Sequence, residues 1–101
     1  MRGSRTGRPI MALFDLLGRR WALRVMWELR RPAASFREVQ ARCDGMSSSV
    51  LSQRLAELEE AGITGAREGS GYQLTDQGRA LLEALTPLDE WARRWAERQR
   101  R

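Results

Sequence analysis

The apolar pattern of this 101-residue chain changes period once and then changes back. Leu51, Leu55 and Leu58 fall at i, i+4 and i+7, the spacing of one helix face, and Ala61-Gly62 closes that run with glycine at the C-terminal position. Residues 63–67 and 72–74 then read as two short strands around Gly69-Ser70-Gly71. After Thr75-Asp76-Gln77, Leu81, Leu85, Leu88, Ala92 and Trp95 return to helical period in a 4-3-4-3 spacing, with Leu82 and Trp91 beside the seam. The expected fold class is therefore mainly α with one small β-hairpin (α+β), in which helices supply the core.

The segments before Leu51 are helical as well. Residues 1–8 carry Arg2, Arg5 and Arg8 with almost no apolar content and read as a flexible basic arm, so the folded domain is expected over 9–101. Ile10 to Leu17 is apolar except for Asp15, too apolar all round for a small monomer, and Gly18 follows as its stop. Trp21 to Arg31 reads as a second helix ended by Pro32. Ser35-Phe36-Arg37-Glu38 fits a capping box that starts a third helix running to about Arg42, and Asp44-Gly45 makes the next turn. Ser47 is the expected N-cap of a fourth helix over about 47–61, and the hairpin occupies about 63–74. Thr86-Pro87-Leu88-Asp89 is itself a good helix start, so the last stretch is either kinked there or two helices.

Composition removes most enzymatic readings. All 18 basic residues are arginine, there is no histidine, and Cys43 is alone. The usual general base, Ser-His-Asp arrangements, thiolate metal clusters and internal disulfides are thereby excluded, and no cofactor or metal is expected. Cys43, between Arg42 and Asp44, reads as a structural thiol rather than a sensor, because no second cysteine exists to resolve it. Uninterrupted apolar runs reach only five residues, as in Ile10 to Phe14, so no membrane span or signal segment is expected, and the cytoplasm is the expected location. The net charge of +5 favours a polyanionic partner such as nucleic acid.

The order helix, turn, helix, hairpin, long helix is that of a winged helix-turn-helix. There the Ser35 to Arg42 helix braces the 47–61 helix, whose N-terminal turn enters the major groove of double-stranded DNA. With Leu51, Leu55 and Leu58 facing inward, Ser47, Ser48, Ser49, Ser52 and Gln53 are left to meet base edges or phosphates. Arg37 and Arg54 are better placed for phosphates, and Ser35, Arg19, Arg20, Arg42 and Arg67 complete the candidate surface. The plain alternative for the serine run is a solvated helix start. Charge alone does not locate the face: the positive surplus lies in the arm and in Trp91 to Arg101, which read as solvated tails or as extra phosphate contacts.

Over residues 9–96 the chain resembles the HxlR-type family of winged helix-turn-helix transcription regulators. Pro9 to Trp21, with its Gly18-Arg19-Arg20-Trp21 ending, is similar to the family's opening segment, and Ser35 to Val39 to its bracing helix. Leu51 to Ile63 resembles its recognition helix and exit, and Tyr72 to Gly78 its wing exit. The resemblance implies a dimeric DNA-binding regulator. Two departures stand out. The family's cysteine before the opening proline is Arg8 here, which excludes thiol sensing at that site, and the wing is short, with Arg67 as its main cation.

The surplus apolar surface points to a homodimer. Ile10, Leu13, Phe14 and Leu17 at one end, and Leu81, Leu85, Leu88, Trp91 and Trp95 at the other, are the expected dimerisation residues. For Trp91 and Trp95 the alternatives are intrachain core, dimer seam or aromatic effector pocket, and the seam spacing favours the dimer. Trp21 and Trp27 read as core. A small-molecule effector is not legible. The competing function is a winged-helix protein-interaction module without specific operator binding.

Overall fold

The computed structural model describes residues 7–31, 34–67 and 71–100, and for Arg67 the backbone alone. The expectations for the arm through residue 6, for Pro32 and for Gly69-Ser70 at the hairpin tip lie outside the described residues. The elements are α1 (Pro9–Leu17), α2 (Ala22–Glu28), α3 (Phe36–Arg42), α4 (Ser48–Glu60), β1 (Thr64–Arg67), β2 (Gly71–Leu74) and α5 (Asp76–Gln99).

Capping chemistry sets three of the helix starts. Ser35 forms the complete capping box: its hydroxyl accepts from the Glu38 amide at 3.1 Å, and its own amide donates to Glu38 Oε1 at 3.1 Å. Ser47 and Thr75 accept from Val50 and Gly78 in the same manner. Asp44 and Gly45, both at positive φ, make the turn between α3 and α4.

α2 is shorter than its apolar pattern predicts. Trp21 precedes it in the left-handed region at φ 76°, where the chain reverses just after Gly18 stops α1. At the other end the Leu29 amide is shared between the Val25 and Met26 carbonyls, and Arg30 bonds to Trp27. The last turn has thus tightened to i→i+3 bonding and the helix ends.

β1 and β2 pair antiparallel in the register Thr64 to Leu74 through Arg67 to Gly71. Ala34 adds an isolated bridge to Tyr72, exchanging bonds of 3.0 and 2.8 Å, so the hairpin is tied to the segment that leads into α3. This third edge had no signal in the sequence. Gly71 allows it: a Cβ there would sit 2.3 Å from the Ala34 carbonyl oxygen.

The core is built by α2, α3 and α4 closed by the hairpin: Val25, Met26, Leu29, Val39, Cys43, Leu51 and Leu58 are fully buried. Gly78 lets α5 start against this core, since a Cβ would meet the Ile63 carbonyl at 2.1 Å. Past Leu85, the last α5 residue packed on the core, the helix runs on as one element with Pro87 inside it. The alternative of two helices is therefore not adopted. Trp27, expected in the core, is exposed beside Leu23 and lies under Arg30, whose guanidinium carbon is 4.0 Å from the ring centroid.

Candidate nucleic-acid interface

The rotation of α4 follows from its leucines. With Leu51, Leu55 and Leu58 buried, Ser48, Ser49, Ser52 and Gln53 are all exposed on the opposite side, next to the exposed N-cap Ser47. The Ser47 and Ser49 hydroxyls are 3.0 Å apart. This face is neutral, small and rich in donors and acceptors, the composition suited to meeting base edges or phosphates without a fixed charge. α3 is locked to the turn ahead of α4 by Gln40 Nε2, which donates to the Met46 carbonyl at 2.8 Å. The helix-turn-helix angle is therefore held by a side chain as well as by core packing.

The remaining candidates divide by what already holds them. Ser35 spends its hydroxyl on the capping box, and its amide bond to the Glu38 carboxylate is the main reason that this carboxyl lies below its usual range. Arg37, on the first turn of α3, and Arg20 are exposed, and among the described residues neither side chain is in an ion pair. Arg54, expected to meet phosphate, already has partners within the chain. It is mostly buried, its Nε donates to the Arg20 carbonyl at 2.7 Å, and its Nη1 meets Glu57 Oε1 at 2.7 Å. Arg19 pairs with the other oxygen of the same carboxylate. Arg42 donates to the Glu28 carbonyl, while Arg24 binds Glu28, Asp44 and the Arg42 carbonyl. The Glu28 hydrogen bond is the largest reason the Arg24 guanidinium is raised above its ordinary value. Arg67 pairs through its backbone with Gly71, and its side chain lies outside the described residues.

The residues expected at a dimer face separate too. Ile10, Phe14, Leu88, Trp91 and Trp95 are each about half exposed, joined by Met11, which sequence reasoning missed. Trp91 and Trp95 stack with centroids 6.1 Å apart and an interplanar angle of 11°. Leu13, Leu81 and Leu85 are partly buried against the chain's own core. Leu17 is corrected to core: it is buried in the main cluster and offers no surface to a partner.

Cys43 is fully buried, and burial pushes its thiol above the ordinary range, opposite to what a reactive thiolate needs. Among the described residues no group of three His, Cys, Asp or Glu is placed to hold a metal ion, and no helix is long and apolar enough to cross a membrane.

Against known proteins, residues 16–100 match the family model for the HxlR-like helix-turn-helix. The chain is similar to the HTH-type transcriptional regulator YvaP of Bacillus subtilis, with 34% identity over 91 residues covering 82% of each protein. It is 29% identical to the HTH-type transcriptional regulator MJ0925 of Methanocaldococcus jannaschii, over 86% of this chain and 85% of that one. Among solved structures it is similar to the quinone-bound YodB of Bacillus subtilis, with a TM-score of 0.76 and 31% identity over 86% of this chain and 98% of that one.

Proposed function

The chain belongs to the HxlR-like helix-turn-helix family, whose members are DNA-binding transcriptional regulators rather than enzymes, and from that premise we propose that it acts as a homodimer reading an inverted-repeat operator in double-stranded DNA. The observation that carries the reading is the outward face of α4, where Ser48, Ser49, Ser52 and Gln53 are exposed opposite the buried Leu51, Leu55 and Leu58. Gln53 has the geometry to pair with adenine, and the serines with either base type or with phosphate. Ser47, the N-cap of α4, adjoins this face. Arg20 and Arg37, both exposed, would flank it as phosphate contacts.

The exposed stripes of α1 and α5 support the dimer. Ile10 and Phe14 on one helix, and Leu88, Trp91 and Trp95 on the other, leave apolar area that a second copy would cover about a two-fold axis. Such an arrangement holds two α4 helices about 34 Å apart, one turn of DNA, and so favours an inverted repeat. The protein would work in the cytoplasm on the nucleoid.

A mobility-shift titration tests this. Duplex selected from a random pool by the protein should shift at salt concentrations where random duplex does not. Arg20→Ala and Arg37→Ala should each lower the salt slope by about 0.9 for every phosphate the arginine neutralises. No shift of any duplex at low salt would replace the regulator by a winged-helix module that binds protein.

A further inference from the structure

We propose that Glu57 is an internal counterion that withholds Arg19 and Arg54 from the DNA backbone and so limits non-specific binding. The inference rests on the reading of α4 as the DNA-reading helix. Both oxygens of the Glu57 carboxylate are committed to guanidinium groups: Oε1 to Arg54 on the same helix at 2.7 Å, and Oε2 to Arg19 in the turn after α1. Arg54 is held on a second edge by the Arg20 carbonyl.

Carboxylate and phosphate compete for the same guanidinium fork, so an arginine already engaged by a carboxylate must exchange partners before it serves a phosphate. The cost of exchange depends on shielding. The Glu57 and Arg54 side chains are 20% and 15% exposed, so this pair is less screened than an open surface pair, whereas Arg19 at 45% is the looser arm. Glu57 also repels phosphates directly. Its helix carries Arg54 as its single cation against Glu57, Glu59 and Glu60, so α4 as a whole is net negative.

Non-specific affinity for DNA is built from phosphate contacts, whereas sequence discrimination is built from base contacts. A helix whose carboxylate neutralises its own cation and that of a neighbouring turn therefore gives up much of the sequence-independent part of binding and keeps the part that reads bases. On this account Glu57 sets the ratio of specific to non-specific affinity without touching DNA.

The test uses the full-length chain with random-sequence duplex and with duplex selected by the wild-type protein, titrated between about 50 and 200 mM salt. Glu57→Gln should steepen the salt dependence on random duplex by about 0.9 for every phosphate newly neutralised, which is about 3.5-fold more loss of affinity across that range for each such phosphate. The preference for selected over random duplex should fall. Arg19→Gln should leave the slope of the wild-type protein unchanged and, combined with Glu57→Gln, remove the share of the steepening that Arg19 supplies. Unchanged slopes in Glu57→Gln, or a proportional loss on both duplexes, would overturn the proposal and leave Glu57 a folding residue. A flatter slope from Arg19→Gln alone would overturn it as well, by showing that Arg19 already touches phosphate; this arm stands even where Glu57→Gln does not fold. Failure of the wild-type chain to bind any duplex would instead remove the DNA-reading face, and this inference with it.

Discussion

Val25, Val39, Leu51 and Leu58 in the winged domain are completely shielded from solvent, while Leu88, Trp91 and Trp95 in the last turns of α5 are 57%, 49% and 49% exposed. Both sets lie at helical spacing and are equally apolar, so periodicity alone does not separate them. What differs is whether a second layer of the same chain is present. α2, α3 and the hairpin pack around α4, whereas among the described residues none past Leu85 on α5 packs on the core. The first region is a domain that closes on itself, and the second, with Ile10 and Phe14 of α1, is apolar surface exposed in the single chain, which the proposed dimer would cover.

The sharpest way to break that contrast is to truncate one residue on each side. Leu58→Ala should lower unfolding free energy by about 2–5 kcal/mol, because the cavity is enclosed by packed neighbours. The loss should not depend on protein concentration in a urea titration. Leu88→Ala should cost little in dilute protein and progressively more as concentration rises. Equal, concentration-independent losses would mean that α5 is covered within its own chain.

A second perturbation acts on the exposed side of α4 alone. Ser49→Ala and Gln53→Ala should leave stability near wild type, yet weaken selected duplex by about 1–3 kcal/mol for each base edge no longer read. Random duplex should be affected less, and equal losses on both would move the reading face elsewhere.

The smallest effect concerns the helix that braces α4. Ser35→Ala should cost about 1 kcal/mol by leaving the α3 amides uncapped. Part of the wild-type advantage depends on pH. Glu38 is held below the usual carboxylate range by the Ser35 bonds, so its contribution is fully present above that range and is lost as pH falls through the lowered folded value. The gap between wild type and Glu38→Gln should therefore narrow below about pH 4, and a gap that widened there would contradict the capping assignment.

Much of the fold was legible because its signals are local. Ser35, Ser47 and Thr75 cap the helices that directly follow them, and Leu51, Leu55 and Leu58 define a face within a single helix. What escaped depends on distant partners. Glu57 meets Arg19 across 38 positions, and Arg54 reaches the Arg20 carbonyl across 34, so no local pattern marks either arginine as engaged. The Ala34 to Tyr72 bridge and the burial of Leu17 are likewise products of tertiary placement. Trp27 misled for the opposite reason: its spacing is that of a core residue, but it is exposed together with Leu23, with the Arg30 guanidinium over its ring.

Sedimentation of the Leu88→Glu, Trp95→Glu double variant, with duplex binding measured on the same sample, bears on the whole picture. Two carboxylates placed on the exposed stripe of α5 should leave the winged domain folded, give a monomer where the wild type is a dimer, and abolish tight binding to an inverted repeat while weak binding to a half-site persists. A double variant that sediments as a stable dimer and binds the inverted repeat as wild type does would contradict the terminal helices as the interface, and with them the two-fold arrangement of the reading helices.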